Sequence, residues 1–225
     1  MTPERHQLVE NRLRLRQPDL TVVVERVHKT HNFSAILRSC DAVGVFRAHA
    51  VPPEGGLPVA SGTAQGAQKW VKVVRHRDTP TAFRQLRGSG FELLAADLND
   101  SARDFREIDY TRPVAVVLGT EKFGVSDQAR DLVDGCIKIP MQGMVESLNV
   151  SVAAALILFE AQRQRLQAGM YERSRLDPAD FERTRFEWLH PKVAAYCRDK
   201  GLAYPKLDDE GEIAETLKGT AANPW

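Results

Sequence analysis

The chain has 225 residues, 43% apolar and 27% charged, with 31 basic against 30 acidic side chains and a formal net charge of +1. That is the composition of an ordinary globular chain large enough to bury a core. It excludes a membrane-spanning helix, because the longest apolar run, Val150 to Phe159, falls well short of the roughly 20 residues a bilayer requires.

The first residues, MTPERHQLVENRLRLRQ, are charged where a secretion signal would be apolar. Cys40, Cys136 and Cys197 are widely spaced, without a C-x-x-C pair. Free thiols in a reducing cytoplasm are therefore expected, with neither disulfides nor a zinc site. Charge is unevenly spread. Residues 1–16 carry four Arg against two Glu, residues 160–200 carry nine Lys or Arg against seven acids, and residues 201–225 carry two Lys against five acids. A small basic excess on both flanks of a neutral middle is compatible with phosphate-backbone contacts, and equally with a solvated mixed-charge surface.

In chain order, an Arg-rich helix is expected first, then a strand over Thr21–Glu25 and a helix over Asn32–Val43 with Ala35, Ile36 and Val43 inward. Val45–Val51 is strand-like and ends at PPEGGLP. A short helix over Ser61–Gln68, a strand over Trp70–Val74 and a helix over Pro80–Arg87 follow. FELLAADL and VAVVL, starting at Phe91 and Val114, are the near-continuous apolar runs of parallel strands covered on both faces. A helix over Ser126–Val133, a strand over Cys136–Ile139 and a long helix from Ser147 to about Gln167 complete the series. The alternation predicts an open α/β sheet over residues 21–167, with an N-terminal extension (1–20) and a helical C-terminal extension ending in a tail (168–225).

Such sheets bind ligands beyond the carboxyl ends of their strands. The turn after the first strand, RVHKTHNFSAILR, has no glycine, which argues against an ordinary dinucleotide site. His28 and His31 lie before a helix rather than on it, without a third ligand nearby, so no metal site is expected. Three other loops carry the polar residues: GTEKFG after VAVVL, PMQGM after CIKI, and ESLN at the start of the long helix. Pro140 cannot donate a hydrogen bond, Gly143 permits a tight path, and Ser147 or Asn149 can cap the helix. Each loop alone is adequately explained by turn and cap chemistry. Three of them at one sheet edge point to a pocket.

NFSAILRSCDAVG, VLGTEKFGV and IPMQGMVESLNVSVAAALILFEAQRQR, in this order and spacing, resemble the three motifs of the SPOUT methyltransferases, specifically the TrmH type. The similarity extends through FREIDYTRP and QRQRLQAGMYERSR to essentially the whole chain. The resemblance implies a parallel sheet with a deep C-terminal trefoil knot, an S-adenosylmethionine pocket in the knot, a homodimer, and methylation of a guanosine ribose 2′-hydroxyl in the tRNA D-loop. Ribosomal RNA or the tRNA wobble ribose are rival targets. A non-catalytic RNA-binding protein of the same fold is disfavoured by the intact motif residues.

Carried over by position, the resemblance makes Asn32, Arg38, Glu121, Ser147 and Asn149 the catalytic set, and Ala96, Gly119, Ile139 and Leu148 the backbone contacts to cofactor. Ala96 stands where some relatives have a hydroxyl, so only a backbone contact survives there. Arg38 would activate the hydroxyl. A guanidinium is effectively always protonated, so it either takes the proton transiently with help from an RNA phosphate or, the physically favoured version, stabilises the developing alkoxide. Glu121 would orient Arg38 or hold its loop. Arg5, Arg12, Arg14, Arg16, Arg163, Arg165, Arg173 and Arg175 are the expected phosphate contacts.

Overall fold

A computed structural model describes residues 2–53, 69–121 and 123–214. The short helix expected over Ser61–Gln68 lies outside them. The chain divides into two compact units. The larger, Gln17–Glu172, has among its described residues seven parallel strands: β1 (Leu20–Glu25), β2 (Arg47–Val51), β3 (Lys72–Arg75), β4 (Glu92–Ala96), β5 (Arg103–Asp104), β6 (Val114–Leu118) and β7 (Gly135–Lys138). Their order in the sheet is β3-β2-β1-β6-β4-β7-β5. All six residues of β1 are buried, and β1 pairs from Leu20↔Val114 to Val24↔Leu118 with β6.

Among the described residues, four α-helices cover the sheet: α2 (Thr30–Ala42), α3 (Thr79–Gly88), α4 (Asp127–Leu132) and α5 (Val150–Gln167). Strand side chains alternate between faces. Val22, Val24, Val114 and Val116 join Ile36 and Leu37 of α2 and Ile157 and Leu158 of α5 in one core. Val23, Ala115 and Val117 join Phe83 and Leu86 of α3 and Ala129 of α4 in the other. Burial on both faces is why these strands read as unbroken apolar runs. Within the sheet, His49 of β2 is buried and shares a 2.7 Å hydrogen bond with the buried His76; burial, helped by His76, lowers the His49 pKa to about 4.

Several boundaries differ from expectation for local reasons. The long helix begins at Val150 rather than Ser147, because Asn149 has non-helical backbone (φ −54°, ψ 137°) and acts as its N-cap. On α2 the inward residues include Phe33, Leu37 and Cys40, while Ala35 is only partly buried. Strand β5, two residues long, pairs with Ile137 and Lys138 of β7 and carries no periodicity that a sequence could display.

The smaller unit joins residues 2–16 to 173–214. It contains α1 (Pro3–Arg14), α6 (Pro178–Leu189) and α7 (Pro191–Lys200), with α6 packed on both of the others. The apparent single helix FERTRFEWLHPKVAAYCRDK is interrupted at His190 (φ −123°, ψ 60°), the residue before Pro191, where a following proline disfavours helical backbone. Arg16 is 4% exposed, its guanidinium 4.9 Å from the Trp188 ring centre.

Candidate functional site

A cavity of about 420 Å³ opens at the carboxyl ends of β4, β6 and β7. Ala96 closes β4, Gly119 follows β6, Ile139 follows β7, and Leu148 precedes α5; all four line the cavity. So does Ser147, which is exposed and leaves the capping of α5 to Asn149. The segments around residues 119, 139 and 147 therefore share one wall.

After β6 the described backbone turns through a close approach of Gly119 to Gly124. A Cβ on Gly119 would lie 2.0 Å from the carbonyl of Gly124, so glycine is required at 119. Gly124 has φ +65°, a conformation that favours glycine. Thr120 and Gly124 exchange backbone hydrogen bonds of 2.8 and 2.9 Å, closing the loop.

Glu121 sits in that loop and gathers three donors. Its Oε1 accepts from the amide nitrogens of Asn32 and, at 2.6 Å, Asn149; its Oε2 accepts from Lys29 Nζ. Asn149 Nδ2 also reaches Asn32 Oδ1 at 3.3 Å. The Asn149 amide oxygen meanwhile accepts from Ser151 N at 2.8 Å and Ser151 Oγ at 2.6 Å, capping α5. One asparagine thus serves both the helix end and the cluster. Hydrogen bonding by Lys29 first, and then by Asn32, holds the Glu121 carboxyl below the usual carboxylate range.

Two residues here were not singled out from the sequence. Lys29 occupies the N-cap of α2, where Ser, Thr, Asp or Asn would supply a cap, and it makes no side-chain cap bond. An ammonium at the positive end of a helix is electrostatically disfavoured; the Glu121 pairing compensates. The signal lay between His28 and His31, in the lysine rather than the histidines. Asp97, which lines the cavity, accepts from Arg130 Nε at 2.8 Å and Asn99 Nδ2 at 3.3 Å. As the first polar residue after the apolar run of β4, it was findable by the strand-end rule.

Arg38 is not part of the hydrogen-bonded cluster. It is exposed on α2, and its side chain has no hydrogen-bond or ion-pair partner among the described residues. Glu121 is committed to Lys29, Asn32 and Asn149, which corrects the expectation that it orients Arg38 and leaves it the alternative role of holding its loop.

Two of the expected phosphate contacts are also corrected. Arg165 is 0% exposed. Its five N–H donors go to Tyr110 O, Gln17 Oε1, Asp19 Oδ1, Asp19 O and Arg112 O at 2.6 to 3.1 Å. Arg16 is buried against Trp188. Neither can meet a phosphate without unfolding its surroundings. Arg5, Arg12 and Arg14 are exposed, Arg14 pairing with Glu10 at 3.4 Å. Arg163 is exposed and paired with Glu160 at 2.7 Å, and Arg173 and Arg175 are exposed.

Residues 19–159 match the SpoU rRNA methylase family, and residues 163–216 match the SpoU rRNA methylase C-terminal family. The chain is 59% identical over 188 residues to the tRNA (guanosine(18)-2′-O)-methyltransferase of Thermus thermophilus, covering 84% of this chain and 97% of that protein. Its fold is similar to that of the A. aeolicus TrmH/SpoU tRNA modifying enzyme, with TM-score 0.78, 39% identity, and coverage of 84% and 97%. It is also similar to the SpoU methyltransferase AviRb from Streptomyces viridochromogenes in complex with AdoMet, with TM-score 0.60, 29% identity, and coverage of 70% and 64%.

Proposed function

This chain belongs to the SpoU methylase family, and from that premise we propose that it transfers a methyl group from S-adenosylmethionine to the ribose 2′-hydroxyl of a guanosine in the tRNA D-loop. The carrying observation is the Glu121 cluster. One carboxylate ties the start of α2, the loop after β6 and the start of α5 together beside the cavity. The near-complete overlap with the Thermus tRNA enzyme favours tRNA over ribosomal RNA as the target.

The cavity suits the cofactor. Its volume falls in the range of small-molecule sites, about 300–1,000 Å³. Leu118, Ile137, Ile139 and Leu148 offer an apolar slot for an adenine ring, and Gly119 lets a ligand approach the backbone. The carboxylates of Asp97 and Glu146 suit hydroxyl and ammonium groups. Bound there, S-adenosylmethionine supplies an already activated methyl group. The deep trefoil knot implied by the resemblance is part of the proposal, with the segments after β6 and β7 forming the knotted pocket.

The protein's remaining work is positioning and charge stabilisation. Asn32, Asn149 and Ser147 hold the ribose side of the site, and Glu121 fixes their geometry. Arg38, solvent-facing and uncommitted among the described residues, stabilises the developing alkoxide as a charged donor. Arg5, Arg12, Arg14, Arg163, Arg173 and Arg175 face the RNA backbone. The protein acts in the cytoplasm as a homodimer. Support for the dimer comes from Val152, Leu156 and Phe159, 42% to 50% exposed at helical spacing on α5.

The test is mass mapping of ribose methylation on tRNA incubated with labelled cofactor. Arg38→Ala is expected to lose about 10²-fold or more in methylation while cofactor affinity by calorimetry is unchanged. Normal turnover by that variant removes Arg38 from the mechanism, and absence of methylation by the unmodified protein removes the function.

A further inference from the structure

Phe123 is 74% exposed, although it lies in a loop whose backbone is closed by the Thr120–Gly124 hydrogen-bond pair and braced by the Gly119–Gly124 contact. Its own N–H donates to Thr120 Oγ1 at 3.2 Å, which ties the backbone of this largely exposed residue to the loop. Leaving most of an aromatic ring in water forfeits the apolar burial that ordinarily places phenylalanine inside. The ring lines the cavity mouth together with Leu98, itself 57% exposed. Two residues earlier the same loop supplies Glu121 to the Asn32–Asn149 cluster. The same loop therefore carries a polar anchor at Glu121 and an exposed aromatic residue at Phe123.

A ribonucleotide has the matching pair of features. Its ribose hydroxyl needs polar anchoring, and its base, joined directly to that ribose, offers a π face. Bases outside a stack are commonly held on aromatic side chains, which restores part of the lost stacking energy. The geometry points to Phe123 as the platform on which the purine base of the target nucleotide stacks when its ribose occupies the Glu121 side of the site. Phe123 is thereby a specificity-determining contact to substrate. This inference rests on the RNA ribose methylation proposed above, and it adds the means by which the nucleotide is held out of its own loop.

The test compares full-chain Phe123→Ala, Phe123→Leu and Phe123→Trp in methylation kinetics on a tRNA transcript, with cofactor affinity by calorimetry and oligomeric state by sedimentation. Ala and Leu are expected to lower kcat/KM for tRNA about 10-fold or more, mainly through KM, whereas Trp keeps or raises it. Cofactor affinity stays within about 2-fold in all three, as expected for a contact to the substrate base alone. A leucine variant equal to the unmodified protein overturns stacking, because leucine preserves apolar bulk without a π face. Cofactor affinity falling in parallel with activity makes Phe123 a wall of the cofactor cavity, and loss of dimer makes it an interface residue; either outcome also overturns the inference. If the unmodified protein methylates tRNA and the variants behave normally, only this inference fails. If the unmodified protein does not methylate tRNA, the proposed function fails with it.

Discussion

At its first turn α5 is tied to Glu121 through Asn149; about four turns later the same helix is tied to the sheet through Arg165. Both attachments join the helix to a carboxylate, yet they differ in what surrounds them. Arg165 is sealed from water, its five donors all satisfied by acceptors from residues 17, 19, 110 and 112. The Glu121 cluster stays partly open: Lys29 is 58% exposed and Glu121 24%, and the cavity lies alongside. Polar groups that a fold depends on are closed off and saturated, because an unsatisfied buried charge is costly. Polar groups that receive a ligand must keep a side available to it.

Breaking the sealed end is expected to have the largest effect. Arg165→Ala strands the Asp19 carboxylate and four other acceptor atoms, on Gln17, Asp19, Tyr110 and Arg112, so urea denaturation should show about 3–5 kcal/mol lost. An Arg165→Ala variant of unchanged stability that binds tRNA poorly would return this residue to the RNA surface.

At the open end, Asn149 separates two roles carried by one side chain. Asn149→Ala should lose the cap, about 1 kcal/mol, together with methylation. Asn149→Ser should keep the cap and near-normal stability, since serine caps well, but it is too short to bridge to Glu121. Its methylation is expected to fall about 10²-fold, the size of a lost preorganised donor. Equal activity in the serine variant and the unmodified protein would make Asn149 a cap alone.

Lys29→Ala should have the smallest effect and sharpen the contrast further. Removing the main group that depresses the Glu121 pKa moves that pKa upward. Ionised Glu121 accepts on both carboxyl oxygens, and protonation would turn one of them into a donor and break the three-donor cluster, so the acidic limb of the activity profile should shift to higher pH. Thermal stability is expected to remain unchanged, because the ammonium is mostly solvated. A pH profile identical to that of the unmodified protein would separate Lys29 from the site.

The difference between the two ends of α5 was only half legible beforehand. Arg163 and Arg165 are two residues apart, which on a helix turns them about 200° from each other. Helical geometry therefore required them to face different ways; which one is buried depends on Asp19 and Tyr110, distant in sequence. Arg14 ends α1 while Arg16 lies beyond it, and there Trp188 decides the outcome, with Arg16 buried and Arg14 solvent-facing. Asn149 offered cap chemistry and motif chemistry as competing explanations, and the tertiary arrangement satisfies both, because its amide oxygen faces the helix and its nitrogen faces Glu121. Lys29 was hidden by the two histidines flanking it, since a lysine's partner across the sheet edge leaves no local mark.

The sequence by itself determined the alternation of strands and helices, the two-sided cover of the sheet and the three loops at its carboxyl edge. Those features follow from hydrophobic periodicity and from glycine and proline chemistry, which act over a few neighbouring residues. Only the tertiary structure decided which arginines are sealed, which carboxylate gathers the amides of Asn32 and Asn149, and where Lys29 finds its partner. These are pairings between residues from 28 to 172 positions apart, and no local propensity encodes them.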